Sequence, residues 1–226
     1  MKPKYLLHDF ENKLMLEKSI RPYIDSGAKI TIGILKKHDD EYGAIESIKK
    51  EIDYDLNFVI IPEVTKGPAD TVYQILKMAN ISDDVHFLVK DCDSFFFHFN
   101  LEGNYICTAN VDDYKMDDRL SSKSFVVIDD KGNVSNIVEK KVISDTFCVG
   151  GYKFNSVKDY KETFESLSQD REIFVSDVIG YCINKGKIFT VKETDNYVDV
   201  GTSDEWFEFN NRPALRSEEH TSELQS

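Results

Sequence analysis

Short apolar segments alternate with segments of helical periodicity between residues 28 and 90, and this alternation constrains the fold more than any other feature of the chain. β-Branched and apolar residues dominate the first kind of segment, whereas apolar residues recur every three or four positions in the second. The predicted strands are 28–37, 56–62 and 84–91, and the predicted helices are 39–52 and 68–79. A strand–helix–strand–helix–strand order predicts a parallel, doubly wound sheet, because each helix returns the chain to the same edge.

The second half of the chain follows a different pattern. The turn sequence DDKGN separates two apolar segments within residues 124–140, which predicts a β-hairpin. Further strands are predicted at 145–154 and 187–193, and further helices at 158–167, 174–184 and 203–211. We therefore predict a single Rossmann-like α/β domain over residues 1–212, with a mixed, mostly parallel sheet and helices on both faces.

The end of the chain, residues 213–226, differs from the rest. Its segment RSEEHTSELQS, residues 216–226, is polar and has no apolar periodicity. A disordered terminus is one interpretation. The other is a non-native tail, because the segment matches the translation of a common adapter oligonucleotide. In both cases we predict that residues 213–226 lie outside the folded domain.

The charge of the chain argues against several classes of partner. Among 226 residues, 41 are acidic and 28 are Lys or Arg, which gives a formal net charge of −13. Nucleic acids and anionic membranes recruit basic surfaces, so neither is a predicted partner. No apolar segment approaches the roughly 20 residues of a membrane span, and the first residues do not resemble a signal peptide. The four cysteines form no CxxC pair and lie among apolar residues, which predicts free thiols in the cytoplasm.

Two carboxylates, Asp91 and Asp93, come at the end of the apolar strand at 84–91. Side chains two residues apart in an extended chain share a face, and ligands bind at the carboxyl ends of parallel strands. Mg²⁺ is typically held there by one or two carboxylates together with phosphate oxygens. Asp199 also follows an apolar strand segment, so we predict that Asp93 and Asp199 bind Mg²⁺, with Asp91 as an additional candidate ligand. Acids that merely end strands and face solvent are the alternative.

Two further motifs place candidate binding residues beside the predicted strands and helices. Gly67 precedes the helix at 68–79 and would let a flat ring or a phosphate approach the backbone, although a plain connecting turn is the alternative. Glu139 can accept hydrogen bonds from sugar hydroxyls and Lys140 can bind a phosphate, although a solvated charged segment is the alternative. The sequence contains no GxSxG or HExxH motif and no legible Ser–His–Asp set, so it does not indicate a covalent nucleophile.

In their order along the chain, these motifs resemble those of the sugar-phosphate nucleotidyltransferases, which have the nucleotide-diphospho-sugar transferase, GT-A-like fold. The resemblance spans residues 3–211. It depends on five segments: KPKYLLHDFENKLMLEKSI, TKGPADTV, FLVKDCDSFF, VEKKVISDTFCVGGYKF and YVDVGTSDEW.

The resemblance implies a role for each candidate residue. The implied catalytic residues are Lys4, which contacts the nucleotide phosphates, and Asp93, which also binds Mg²⁺ together with Asp199. Gly67 meets the nucleotide base. The implied sugar-phosphate site consists of Glu139, Lys140 and Gly150. Pro3 and Lys4 are expected to be followed by an apolar strand and a turn.

The implied reaction converts an NTP and a sugar 1-phosphate into an NDP-sugar and pyrophosphate. Such chemistry depends on positioning and on neutralisation of charge more than on a protein nucleophile. The chain departs from the family in one respect, because no glycine-rich loop with an arginine precedes Pro3. We therefore expect that about 20 residues, a strand and a phosphate loop, are missing at the N-terminus, and that the fragment itself is inactive if they are required.

Three alternatives stay open at this stage. A glycosyltransferase of the same general fold would use DCD, residues 91–93, as an Asp-x-Asp metal motif. A choline-phosphate or amino-acid-phosphate cytidylyltransferase is a closer variant. A non-catalytic binding domain on this fold is the third. The base, the sugar and the oligomeric state are not indicated, although a homo-oligomer is compatible with the sequence, and a role in polysaccharide precursor synthesis is implied only at the level of the family.

Overall fold

The structure, a computed structural model, describes residues 2–114, 118–168, 170–194 and 196–211. The predicted tail at 213–226 therefore lies outside the described residues. The helices are α1 (Met15–Asp25), α2 (Lys36–Tyr42), α3 (Ala44–Glu51), α4 (Pro68–Met78), α5 (Val157–Ser166), α6 (Val175–Asn184) and α7 (Ser203–Asn211). The strands are β1 (Ile30–Leu35), β2 (Leu56–Ile61), β3 (Phe87–Lys90), β4 (Ser94–Phe95), β5 (Asn104–Asn110), β6 (Ser124–Ile128), β7 (Val134–Glu139), β8 (Thr146–Phe154), β9 (Phe189–Glu193) and β10 (Val198–Asp199).

The first part of the chain forms most of the predicted elements. β1 and β2 pair in parallel, and α4 begins at Pro68, whose fixed φ and missing N–H suit the first turn of a helix. The single helix predicted at 39–52 is instead divided into α2 and α3. Gly43 lies between them with a φ of 57°, a left-handed conformation that ends one helix and redirects the chain into the next.

The main sheet is mixed, and its strand order is β7-β6-β8-β5-β9, with β3 paired to β8. Within the described residues, only the β1–β2 and β5–β9 pairings are parallel. The remaining ladders, β3–β8, β5–β8, β6–β7, β6–β8 and β10–β4, are antiparallel. The prediction of a mixed α/β sheet is confirmed, but the prediction that it is mostly parallel is wrong. The long strand β8 lies antiparallel to the strands on both of its sides, and no local sequence pattern indicates that pairing.

The first three predicted strands do not form one sheet: β1 and β2 form one sheet, and β3 belongs to another. β3 pairs with β8, and in the described part of the chain neither β1 nor β3 has a partner at its other edge. The helix α4 packs against both strands: the Ile75 side chain lies against Gly33 of β1, and Leu76 belongs to the core cluster that Phe87 of β3 joins. The two sheets are thus connected through α4 rather than through backbone hydrogen bonds.

Helices cover both faces of the fold, as predicted. One large apolar cluster joins α4, α5 and α6 to one face of the main sheet, with Tyr160, Phe154 and Phe189 nearly inaccessible to solvent. A second cluster packs α1 and α3 against β1. The other face of the main sheet is covered by aromatic residues, including Phe96 and Tyr197. The burial of these large apolar surfaces is the main contribution to stability.

Two further predictions concern the cysteines and the membrane. All four cysteines are free thiols, and Cys107, Cys148 and Cys182 are buried whereas Cys92 is half-buried. Within the described ranges, every helix is too short or too polar to span a lipid bilayer.

Candidate active site

The turn after β3 places Asp93 beside Asp199. β3 ends at Lys90, and Cys92 and Asp93 form a turn instead of the extended chain that was expected. The short strand β4 then pairs with β10, so that Ser94 lies opposite Asp199. The Val200 N–H donates to the Asp93 carbonyl at 3.0 Å and closes this junction. The two acids, which are far apart in sequence, therefore become neighbours through strand pairing.

The carboxylates of Asp93 and Asp199 flank the same small space at Gly201. A Cβ atom at Gly201 would lie 3.2 Å from Asp199 Oδ1 and 3.5 Å from Asp93 Oδ2. A Cβ here would make a tight contact with Asp199 and an ordinary van der Waals contact with Asp93. The structure thus brings together the two acids that the sequence analysis selected as metal ligands, and their binding of Mg²⁺ stays a prediction.

A lysine is bound to each of these carboxylates. Lys4 Nζ donates to Asp93 Oδ2 at 2.6 Å and to the Gly201 carbonyl at 2.9 Å. Lys123 Nζ donates to Asp199 Oδ2 and, at 3.0 Å, to the Tyr197 hydroxyl. Partial burial alone would lower the pKa of Lys4, but the neighbouring Asp93 outweighs it, so the pKa of the ammonium is raised and it remains charged.

Lys4 lies in a single 3-10 turn, Lys4–Leu6, rather than next to the apolar strand that the resemblance implied. The Leu6 side chain is buried in the cluster below α1, which anchors this turn to the core. The anchored turn orients Lys4 towards Asp93.

Asp91 occupies a different part of the site from Asp93. Its N–H donates to the Gly150 carbonyl at 2.8 Å, and its carboxyl packs against Gly150. Asp91 is exposed to solvent, but neighbouring protein groups partly desolvate its carboxyl. This desolvation, followed by the Asp93 charge, raises the pKa of the Asp91 carboxyl against the opposing effect of Lys90. Asp91 therefore lies near Asp93 but has different contacts: Asp91 packs against Gly150, whereas Asp93 binds Lys4.

Gly150 is required by both its conformation and its surroundings, so we expect Gly150→Ala to destabilise the fold. Its φ is +87°, and a Cβ there would lie 2.5 Å from Asp91 Oδ2. Strain and crowding together should lower the free energy of unfolding by about 3 kcal/mol, as measured by urea denaturation. Gly132→Ala is the matched control, because Gly132 has a φ of +82° but no atom within 4 Å of its Cβ position. It should cost only about 1 kcal/mol. Equal losses for the two variants would contradict the contact between Gly150 and Asp91.

Glu139 and Lys140 lie at the end of β7 and contact the start of α6. The Glu139 carboxylate accepts hydrogen bonds from the Ser124 hydroxyl and, at 2.7 Å, from the Ser176 hydroxyl. The Lys140 ammonium lies 4.3 Å from the centre of the Phe174 ring, a cation–π contact. The negative charge of Glu139 also contributes to the raised pKa of Asp91, so the two carboxylates interact electrostatically.

An open cavity of about 520 Å³ lies between β7 and α6, and Glu139 and Ser176 are among its lining residues. That volume is within the range of small-molecule sites. The location is consistent with a sugar-binding role for Glu139, which stays a prediction.

Gly67 packs closely against the segment that precedes α6. A Cβ at Gly67 would lie 2.8 Å from the Ile173 carbonyl and 2.8 Å from Glu172 Cγ. The Ala69 N–H donates to the same Ile173 carbonyl at 3.1 Å. Close packing of the first turn of α4 against the segment before α6 therefore explains this glycine without a ligand. Contact between Gly67 and a nucleotide base stays a prediction.

Two lysines of the site, Lys90 and Lys123, were missed by the sequence analysis. Lys90 Nζ donates to the carbonyls of Asp91 and Ser94 at 2.6 and 2.5 Å and to the Ser19 hydroxyl at 3.0 Å. It therefore fixes the turn that carries Asp93. Neither lysine has a local sequence signal. The side-chain partners of Lys123 are more than 70 residues away along the chain, and so is Ser19, which binds Lys90.

The donor set is compatible with a magnesium ion that also binds phosphate oxygens. Across the described residues, no cluster of three or more His, Cys, Asp or Glu side chains could hold a metal by itself. Two convergent carboxylates are nevertheless what Mg²⁺ uses when phosphate oxygens supply further ligands. Asp93 and Asp199 fit that arrangement, provided that Lys4 and Lys123 move from the oxygens that they now bind.

Comparisons with known proteins identify the fold. Neither a protein-family model nor a curated protein matches the chain. Among solved structures, the chain is similar to a nucleoside-diphosphate-sugar pyrophosphorylase from Vibrio cholerae RC9, with 18% identity and a TM-score of 0.78 over 94% of this chain and 93% of that one. It is also similar to the inositol-1-phosphate CTP transferase from T. maritima, with 15% identity and a TM-score of 0.73 over 90% and 82% of the two chains.

A third similar structure is a UDP-glucose pyrophosphorylase complexed with UDP-glucose. It has 16% identity and a TM-score of 0.72 over 95% of this chain and 91% of that chain. The similarity extends over at least 90% of this chain and at least 82% of each of the three structures. The protein described here therefore has the α/β fold of the sugar-phosphate nucleotidyltransferases.

Proposed function

We propose that this protein is a nucleotidyltransferase that forms an NDP-sugar and pyrophosphate from an NTP and a sugar 1-phosphate. The observation that supports this most is the convergence of Asp93, from the turn before β4, and Asp199, from β10, on one point of this fold. Lys4 lies at the same point and supplies a cation for phosphate groups. Acids and a lysine so arranged suit a reaction in which charged phosphates must be held close together.

Each residue of the site has a distinct task in the proposed reaction. Lys4 binds the nucleotide phosphates and offsets their charge, and Lys140 does the same for the sugar phosphate. Glu139 orients the sugar by accepting hydrogen bonds from its hydroxyl groups. Asp93 and Asp199 would hold Mg²⁺, which supplies further neutralisation of the phosphate charge when it is bound. Gly150, which has no side chain, leaves room for the carboxyl of Asp91 beside Asp93.

The proposed chemistry needs no covalent intermediate on the protein. An oxygen of the sugar phosphate attacks the α-phosphorus of the nucleotide, a new P–O bond forms, and the bond to pyrophosphate breaks. The contribution of the protein is to hold the two phosphates in line and to keep them desolvated and neutralised.

The direct test is a matrix of substrates. Purified protein is incubated with Mg²⁺, one of ATP, CTP, GTP, UTP or dTTP, and one of several sugar 1-phosphates, while pyrophosphate release is measured. We expect release with at least one pair and none when the sugar phosphate is omitted. Phosphocholine and inositol 1-phosphate are included as acceptors, so that a cytidylyltransferase of the related type would be recognised by its acceptor.

The same matrix separates the other candidate functions. Consumption of an NDP-sugar without pyrophosphate release would indicate a glycosyltransferase, and nucleotide binding without turnover would indicate a binding domain. The geometry disfavours the Asp-x-Asp reading of residues 91–93. The carboxyl of Asp91 packs against Gly150, whereas only Asp93 converges with Asp199. A cytoplasmic location, where nucleotides are available, agrees with the four free cysteines.

A further inference from the structure

We propose that Lys123 is an internal counter-cation of the active site, which holds Asp199 until a divalent metal binds and then turns to the substrate phosphates. This inference depends on the proposed function, because it concerns the same carboxylates. Its starting point is that both oxygens of Asp199 are already occupied by groups of this chain. Asp199 Oδ1 accepts from the Gly201 N–H at 3.1 Å, and Oδ2 accepts from Lys123 Nζ.

Only one of these two donors can readily move. The Gly201 N–H belongs to the backbone between β10 and α7, and the first turn of α7 is fixed by reciprocal hydrogen bonds. The Thr202 N–H donates to Glu205 Oε2 at 2.8 Å, and the Glu205 N–H donates to Thr202 Oγ1 at 3.2 Å. Lys123, in contrast, reaches Asp199 through a flexible four-carbon stem. A metal that binds Asp199 therefore displaces Lys123 rather than Gly201.

The position of Lys123 keeps its charge in the site after it leaves Asp199. The side chain is 17% exposed, much less than the 48% of Lys4, and the Tyr197 hydroxyl and ring lie against its ammonium group. Its backbone carbonyl accepts from the Lys140 N–H at 2.9 Å, so Lys123 is fixed beside the predicted sugar-phosphate residues. A released ammonium at this position is close to where an incoming phosphate would lie.

The arrangement predicts opposite effects of Lys123 on metal and on substrate. In the absence of substrate, Lys123 competes with the metal for Asp199 and weakens metal binding. In the presence of phosphates, the same charge favours the complex. Coupling of this kind makes the metal and the phosphates bind more strongly together than separately.

The test replaces Lys123 with methionine, which keeps the stem but removes the charge. Binding of Mn²⁺ alone is measured by electron paramagnetic resonance of the free ion. We expect Lys123→Met to bind Mn²⁺ about 3- to 10-fold more tightly than the parent protein, the scale of a single ion pair. In the substrate assay, the same variant should lose at least about 10-fold in turnover.

A matched control and a second variant keep this test decisive. Lys131→Met removes an equal charge from the exposed β6–β7 turn and should change neither property. Lys123→Gln, which retains a donor for Tyr197, should reproduce the tighter binding of Mn²⁺ if Lys123→Met does not fold. A merely structural lysine would weaken both properties on substitution, so unchanged or weaker Mn²⁺ binding in a folded variant overturns the inference.

The failure of this inference can be told apart from failure of the proposed function. If the parent protein releases pyrophosphate and binds Mn²⁺ but the Lys123 variants do not bind it more tightly, only the counter-cation role is rejected. If the parent protein binds no Mn²⁺, with or without nucleotide, the metal site and the counter-cation role are both rejected.

Discussion

Asp93→Asn should turn over at least about 100-fold more slowly than the parent protein, because it removes a principal charged group from the reacting centre. The amide keeps the size of the carboxyl but loses its charge, so it would bind a divalent cation weakly and no longer neutralises Lys4. The 2.6 Å hydrogen bond from Lys4 to Asp93 would be weakened at the same time. The measurement is the rate of pyrophosphate release at saturating substrates.

The fold should survive this substitution. The side chains of Asp93 and Lys4 are 29% and 48% exposed, and ion pairs with that access to solvent contribute about 1 kcal/mol or less to stability. Asp130→Asn, an exposed acid in the β6–β7 turn, is the matched control and should retain full activity. Near-normal turnover of Asp93→Asn would refute the assignment of Asp93 as a catalytic and metal-binding residue.

Lys90→Met should lower the free energy of unfolding by about 3 kcal/mol, as much as Gly150→Ala. The ammonium of Lys90 binds the carbonyls of Asp91 and Ser94, the hydroxyl of Ser19 and the ring of Phe96. Methionine would fill the space of the lysine stem but would donate no hydrogen bond. The carbonyls of Asp91 and Ser94 would then share the Ser19 hydroxyl as their side-chain donor. Desolvation lowers the pKa of Lys90, so burial of its charge offsets part of this stabilisation.

The comparison for Lys90→Met is Lys158→Met. The Lys158 side chain is 60% exposed and pairs with Glu162, four residues along α5, so its loss should cost about 0.5 kcal/mol or less. Urea denaturation of both variants measures the difference. If the two curves coincide, Lys90 does not hold the turn that carries Asp93.

The sequence predicted most elements and the two central acids of the site because both depend on local patterns. Asp93 and Asp199 each follow an apolar strand segment, and strand ends of this fold converge. The pairing of β4 with β10 then brought the two carboxylates together. The helix predicted at 203–211 is observed as α7, and reciprocal hydrogen bonds between Thr202 and Glu205 close its first turn.

What the sequence did not predict depends on contacts between distant segments. Lys123 donates hydrogen bonds to Asp199 and Tyr197, and Lys90 donates one to Ser19 of α1. A lysine beside a strand has no local feature that distinguishes it from a solvated one. The antiparallel pairing of β3 with β8 was missed for the same reason, since strand order and direction are set by tertiary packing.

The unpartnered edges of β1 and β3 in the described structure have a practical consequence for work with this protein. An open row of backbone donors and acceptors can template cross-strand association with any extended chain. Concentrated samples should therefore form β-rich aggregates through these edges. An added peptide of strand-forming sequence should suppress the aggregation by pairing with the open edges of β1 and β3.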